Sequence, residues 1–131
     1  MKTLIVEDDF SSRLLLQEFL KSYGESHIAV NGKEAVEAVR VSLEWGLPYD
    51  LICLDIMMPE MDGQEALRLI RDLEEAQGIL STHGAKIVMT TAIDDSHNVM
   101  AAFHNLCDGY LTKPINKTQL VATLRKLSLI Q

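Results

Sequence analysis

The chain has 131 residues, with 12 Lys+Arg against 19 Asp+Glu and a formal charge of −7 when histidines are neutral. That acid excess argues against unaided nucleic-acid binding, which needs basic patches to neutralise phosphates. A content of 47% hydrophobic and 24% charged residues excludes a disordered or fibrous chain. One domain over residues 1–131 is expected, able to bury roughly two thirds of its unfolded surface without disulfides or a structural metal.

Leu4-Ile5-Val6 is a continuously apolar strand that ends in Glu7-Asp8-Asp9. Three apolar residues before an acidic cluster make neither a signal peptide nor a membrane span, so the expected location is the cytoplasm, with no membrane contact. Helical spacing follows at Leu16, Phe19, Leu20 and Tyr23, then a second strand at His27-Ile28-Ala29-Val30. Asn31, three residues before Glu34, caps a helix marked by Ala35, Val39 and Leu43. Trp45 and Tyr49 flank Gly46 and Pro48 in what is expected to be a packed turn. The third strand, Leu51-Ile52-Cys53-Leu54, ends at Asp55. Asp62 caps the next helix three residues before Glu65, with Ala66, Leu69, Ile70 and Leu73 on its apolar face.

Residues 74–85, with Gly78, His83 and Gly84, exceed a tight helix-to-strand connection and suggest an extended helix plus a loop, either a partner contact or an inert insertion. Ile87-Val88-Met89 is the fourth strand and ends in Thr90-Thr91. Val99, Ala102, Phe103 and Leu106 mark a fourth helix, and Gly109-Tyr110-Leu111 a fifth strand ending in Thr112-Lys113. Asn116, three before Gln119, caps a last helix carried by Leu120, Leu124 and Leu127. Cys53 and Cys107 sit apart among apolar neighbours, as buried thiols of a reducing compartment do. His27, His83, His97 and His104 show no metal-site spacing.

Strand and helix thus alternate five times, which predicts a right-handed, doubly wound α/β fold: five parallel strands in the order 2-1-3-4-5, flanked by five helices. Such sheets place ligands outside the carboxyl ends of the strands, at the switch point between the first and third. Because neighbouring strands lie about 4.8 Å apart, Glu7, Asp8 and Asp55 share one small site. Their mutual repulsion calls for a cation, and hard oxygen donors without His or Cys favour Mg²⁺. Asp9 suits either a helix cap or that cluster. A flavodoxin or P-loop protein would offer a Gly- or Ser/Thr-rich phosphate cradle where this chain has acids. With Lys113 and the Thr91 hydroxyl able to neutralise or donate to phosphoryl oxygens, Asp55 is the candidate nucleophile of a phosphoryl transfer.

The stretches Val6-Glu7-Asp8-Asp9, Asp55-Ile56-Met57-Met58-Pro59-Glu60-Met61-Asp62-Gly63, Thr91-Ala92 and Tyr110-Leu111-Thr112-Lys113-Pro114 resemble the receiver domain of two-component response regulators, a flavodoxin-like family. The resemblance runs from Leu4 to about Leu127. It implies that Asp55 is the phosphoacceptor, that Asp8, Glu7, Asp55 and the Met57 carbonyl hold Mg²⁺, and that Thr91, Ala92 and Lys113 contact the phosphoryl group. It further implies that Thr91 and Tyr110 form the switch and that the Lys113–Pro114 bond is cis. Read without the family, Thr91 caps a turn, Tyr110 is a core residue and Lys113 is a surface charge.

The implied function is a stand-alone response regulator that takes a phosphoryl group from a histidine kinase or histidine-phosphotransfer protein. It signals by binding a downstream protein through the face formed by the fourth helix, fifth strand and last helix, as a monomer or weak dimer without an output domain. It is no enzyme beyond its own phosphorylation and dephosphorylation. A phosphorelay intermediate and a phosphate-independent binding module are the alternatives. A small-molecule phosphatase of the haloacid dehalogenase type would carry a second Asp where Met57 stands. Met57 and Ile93 flank the expected path of attacking water and cannot orient it by hydrogen bonds, which implies slow dephosphorylation. Leu106 stands where the family often has Gly, so the 105–108 loop is expected to differ in shape.

Overall fold

The computed structural model describes residues 1–58, 61–80, 83–92 and 106–131. Five strands, β1 (Thr3–Val6), β2 (Ser26–Ala29), β3 (Leu51–Asp55), β4 (Lys86–Thr91) and β5 (Gly109–Thr112), form one parallel sheet in the order β2-β1-β3-β4-β5. The described helices are α1 (Phe10–Leu20), α2 (Gly32–Glu44), α3 (Gly63–Ala76) and the C-terminal helix (Lys117–Lys126), with a 3₁₀ turn at Lys21–Tyr23. Five helices were expected; four are described, and the helix expected at Val99, Ala102 and Phe103 lies outside the described residues, as do Pro59, Ile93, His97 and His104.

The central strands are apolar throughout because both their faces are covered. Leu4, Val6, Ile52, Leu54, Ile87 and Met89 point to the layer of α2 and α3. Ile5, Cys53 and Val88 alternate to the opposite layer, with Leu16 and Leu20 of α1 and Leu120 and Leu124 of the C-terminal helix. Each such fully buried aliphatic side chain contributes about 1.5–3 kcal/mol relative to exposure.

Four caps start the helices. Asp9, Asn31, Asp62 and Asn116 accept from the backbone N–H of Ser12, Glu34, Glu65 and Gln119 at 2.9, 2.8, 2.9 and 3.1 Å. Glu34 also accepts from the Val30 N–H, closing the α2 start from both sides. Asn31→Ala is expected to destabilise the fold by about 1 kcal/mol, read as a lowered urea midpoint with unchanged slope.

The apolar face of α3 departs from expectation. Leu69 and Leu73 are only half-buried, whereas Arg71 and Glu74 are buried. Arg71 donates to Glu74 Oε1 (2.7 Å), Ala85 O (2.9 Å), Leu106 O (2.8 Å) and Asp108 Oδ2 (3.0 Å). Glu74 Oε2 accepts from the Ala85 N–H, and Asp108 Oδ2 from the Ile87 N–H. This network anchors the connection at residues 74–85 to the entries of β4 and β5. A Cβ at Gly84 would collide with the Glu74 carboxylate, so a larger residue there would have to move that carboxylate off its bonds to Arg71 and the Ala85 N–H. The turn at residues 45–49 is packed only in part: Tyr49 is buried and hydrogen-bonded to His27, but Trp45 is 75% exposed.

Candidate functional site

The sheet register builds the site. Val6 pairs with Leu54, so Glu7 and Asp55 emerge from adjacent strands at one level. Asp55 pairs with Thr90 and Thr91 with Thr112, which brings Thr91 and Lys113 to the same edge. The Lys113 N–H donates to Thr91 O at 2.8 Å, and the Lys113–Pro114 bond is cis. On the other side, Gly63 donates to Ile56 O at 2.9 Å, and a Cβ at Gly63 would strike the Asp55 carbonyl oxygen. Glycine therefore lets the α3 start lie directly against the strand end that carries Asp55.

Glu7 and Asp55 are buried and Asp8 is exposed, and one carboxylate oxygen from each lies within 4.8 Å of the others. The Lys113 ammonium bridges the two buried acids, 2.9 Å from Glu7 Oε2, 3.2 Å from Glu7 Oε1 and 3.3 Å from Asp55 Oδ2. Glu7 Oε1 also accepts from the Asp9 N–H, and Arg13 donates to the Glu7 carbonyl. Glu7 Oε2 is buried without a hydrogen-bond partner, so its approach to Lys113 is a charge contact rather than a directed bond.

Electrostatics follow from burial with one cation for two buried acids. Burial and the neighbouring Glu7 push the Asp55 carboxyl up to about 7, against the pull of Lys113. Burial alone would lower Lys113, but its hydrogen bond to Glu7 and the charges of Asp55 and Glu7 raise it overall. Asp9 lies below the usual carboxylate range because it caps Ser12, so it serves as a cap rather than as a member of the buried cluster.

The donor set fits a small divalent cation. It offers hard carboxylate oxygens on three residues, one of them a buried oxygen lacking a hydrogen bond, and in Asp55 an acid whose raised carboxyl further positive charge would favour ionising. Thr91 is buried, with its hydroxyl on Ala92 O at 3.2 Å, and Ala92 is exposed. Met57 is 68% exposed beside Asp55, and Tyr110 is 40% exposed, so Tyr110 is not a core residue. Lys113 is partly buried in ion pairs rather than a solvated surface charge.

Two features escaped sequence reasoning. Thr90, next to Asp55 in the register, has a buried hydroxyl without a hydrogen-bond partner. Arg13 braces the backbone of Glu7 from the first turns of α1, where a basic residue soon after an acidic strand end was the available signal.

The chain matches the family described as response regulator receiver domain over residues 3–125. It is 34% identical over 128 residues to the sensor histidine kinase GacS of Pseudomonas protegens, covering 95% of this chain but 13% of that protein. It is 34% identical over 120 residues to the chemotaxis protein CheY of Halobacterium salinarum, covering 92% of this chain and 90% of that protein. The chain thus spans a small part of the kinase and nearly all of the chemotaxis protein. Among solved structures, a putative response regulator from Chloroflexus aurantiacus superposes with a TM-score of 0.78 at 27% identity, over 96% of this chain and 95% of that one.

Proposed function

This chain belongs to the response regulator receiver domain family, and we propose that it works as a stand-alone phosphorylation switch with Asp55 as the phosphoacceptor. The observation that carries this reading is the position of Asp55: buried at the end of β3, 3.3 Å from Lys113, within ligand distance of Glu7 and Asp8. Receiver domains interact with histidine kinases or phosphotransfer proteins. A phosphohistidine imidazole is accordingly the donor we assign. Its N–P bond breaks as an Asp55 Oδ–P bond forms, and the freed imidazole takes up a proton. Glu7, Asp8, Asp55 and the Met57 carbonyl would hold Mg²⁺, which when bound neutralises phosphoryl charge.

Lys113 neutralises a further phosphoryl oxygen, and Thr91 and Ala92 contact the group from β4. Phe10 and Leu14, exposed one turn apart on α1, offer an apolar face on which a donor protein docks. Phosphate drawn to Thr91 leaves its present bond to Ala92 O unsatisfied, and Tyr110, already half out of the sheet, changes rotamer with it. The altered surface includes β5 and the C-terminal helix, where the downstream protein binds. No described helix is long and apolar enough to cross a membrane. Two buried free thiols suit the cytoplasm, where we place the protein. We assign it a role like that of the chemotaxis protein it nearly spans; a relay role, passing the group to a histidine-phosphotransfer domain, is the second reading, favoured by the likeness to a segment of a sensor histidine kinase.

Intact mass after incubation with acetyl phosphate tests the assignment. One added phosphoryl group with Mg²⁺, and none with a chelator, is expected; no gain by folded protein overturns it. Because Met57 offers no hydrogen bond to water, the phosphorylated protein is expected to decay over minutes or longer, followed by the same mass measurement. Decay within seconds would contradict that role for Met57.

A further inference from the structure

Away from the phosphorylation site, the side of the molecule formed by α2 and the free edge strand β2 carries an open groove of about 870 Å³. Its walls include Ile28, Val41, Trp45, Leu47, Tyr49 and His27. Trp45 is 75% exposed, Leu47 60% and Val41 39%, an apolar concentration that α2 has no reason to present to water. Neither the donor nor the phosphate-responsive surface uses this side.

The charges beside the groove identify an occupant. Lys33, Glu37, Arg40 and Glu44 lie at spacings of four, three and four along α2, hence on one stripe of the helix. In chain order they read plus, minus, plus, minus. Read backwards they give minus, plus, minus, plus, so two copies of α2 laid antiparallel put each of these four charges against its opposite, while Glu34, at the rim of the groove, keeps its bond to the Val30 N–H. Glu37 then faces the partner's Arg40, and Lys33 faces the partner's Glu44, with each contact repeated by the two-fold axis as a closed isologous interface requires. The same axis, level with the step from Ala38 to Val39, carries Trp45 toward the other copy's α2 start, where Val30 is 38% exposed.

Within one copy Arg40 already pairs with Glu37 and Glu44, which accounts for the charges on a solvated helix. It does not account for the tryptophan and aliphatic groups beside them. Matched charges matter here because each copy carries −7, and an unmatched face would repel a second. We propose that this face joins two copies of the chain through antiparallel α2–α2 pairing, with the Trp45 of each copy as an anchor at either end of the seam.

Sedimentation velocity of the full chain, from micromolar to millimolar concentration, tests this, with emission of Trp45, the single tryptophan, read alongside. A reversible dimer is expected, with tryptophan emission moving to shorter wavelength as it forms. Lys33→Glu is expected to weaken association about tenfold or more by setting like charges against each other, and Trp45→Ala to do the same by removing the anchor. Lys33→Glu combined with Glu44→Lys restores opposite charges across the axis and is expected to recover the dimer. Circular dichroism of each variant confirms that α2 is retained. A monomer at every concentration overturns the proposal and leaves the groove to a different protein; a dimer that Lys33→Glu and Trp45→Ala leave unchanged overturns it by placing the contact elsewhere.

Discussion

Asp55→Asn is expected to abolish phosphoryl uptake from acetyl phosphate while making the metal-free fold more stable at neutral and alkaline pH. The first effect follows from chemistry: a carboxamide offers no carboxylate oxygen to carry the phosphoryl group. The second follows from geometry. Asp55 is 3% exposed, close to Glu7, and shares one ammonium with it, so its carboxyl moves from 3.8, its ordinary value, up to about 7. Between those values the folded chain keeps a proton that the unfolded chain has lost. Stability therefore falls as pH rises through this window, and the loss is complete above it. The whole effect is of order 1–4 kcal/mol. Urea unfolding with a chelator present is expected to show a wild-type midpoint that declines across the window and an Asn variant that lacks this decline. Equal pH profiles for the two proteins would show that Asp55 is not held protonated.

Arg71→Met is expected to destabilise the protein by about 3–5 kcal/mol, a large part of the 5–15 kcal/mol that holds a typical domain together. Arg71 and Glu74 side chains are 7% and 4% exposed, and the guanidinium serves Glu74, Asp108 and the carbonyls of Ala85 and Leu106. Methionine fills similar volume but leaves Glu74 as a buried, uncompensated charge. Asp108 retains the Ile87 N–H, so the principal loss falls on Glu74. Adding Glu74→Met removes that charge and is expected to recover much of the lost stability, measured by the same urea titration. A single variant as stable as wild type would show that the network contributes little beyond its own desolvation.

The two results bear on different levels of the sequence. The acidic strand ends that define the site lie beside apolar runs, and the order of those runs names the switch point of the sheet. Asn31, Asp62 and Asn116 were legible as caps because the groups they bond lie three residues on. Nothing in the periodicity of α3 marks Arg71 as buried, since helical spacing identifies an inward face only by its apolar residues. What turns Arg71 inward is acceptors at Leu106 and Asp108, 35 and 37 residues away. Trp45 erred in the opposite sense: an aromatic near Pro and Gly suggested packing, but the turn buries Tyr49 and leaves Trp45 outside.

By itself the sequence determined the alternation of strands and helices, the caps at Asp9, Asn31, Asp62 and Asn116, and the acids that end the apolar runs. These are properties of neighbours in the chain, fixed by backbone hydrogen bonding and the periodic placement of apolar groups. Only the tertiary structure decided that Lys113, 106 residues from Glu7, is shared between Glu7 and Asp55. It alone placed Asp55 where burial and the Glu7 charge raise its carboxyl, and showed Arg71 locking three segments together. Burial and through-space charge set those properties, and neither has a period that a linear sequence displays.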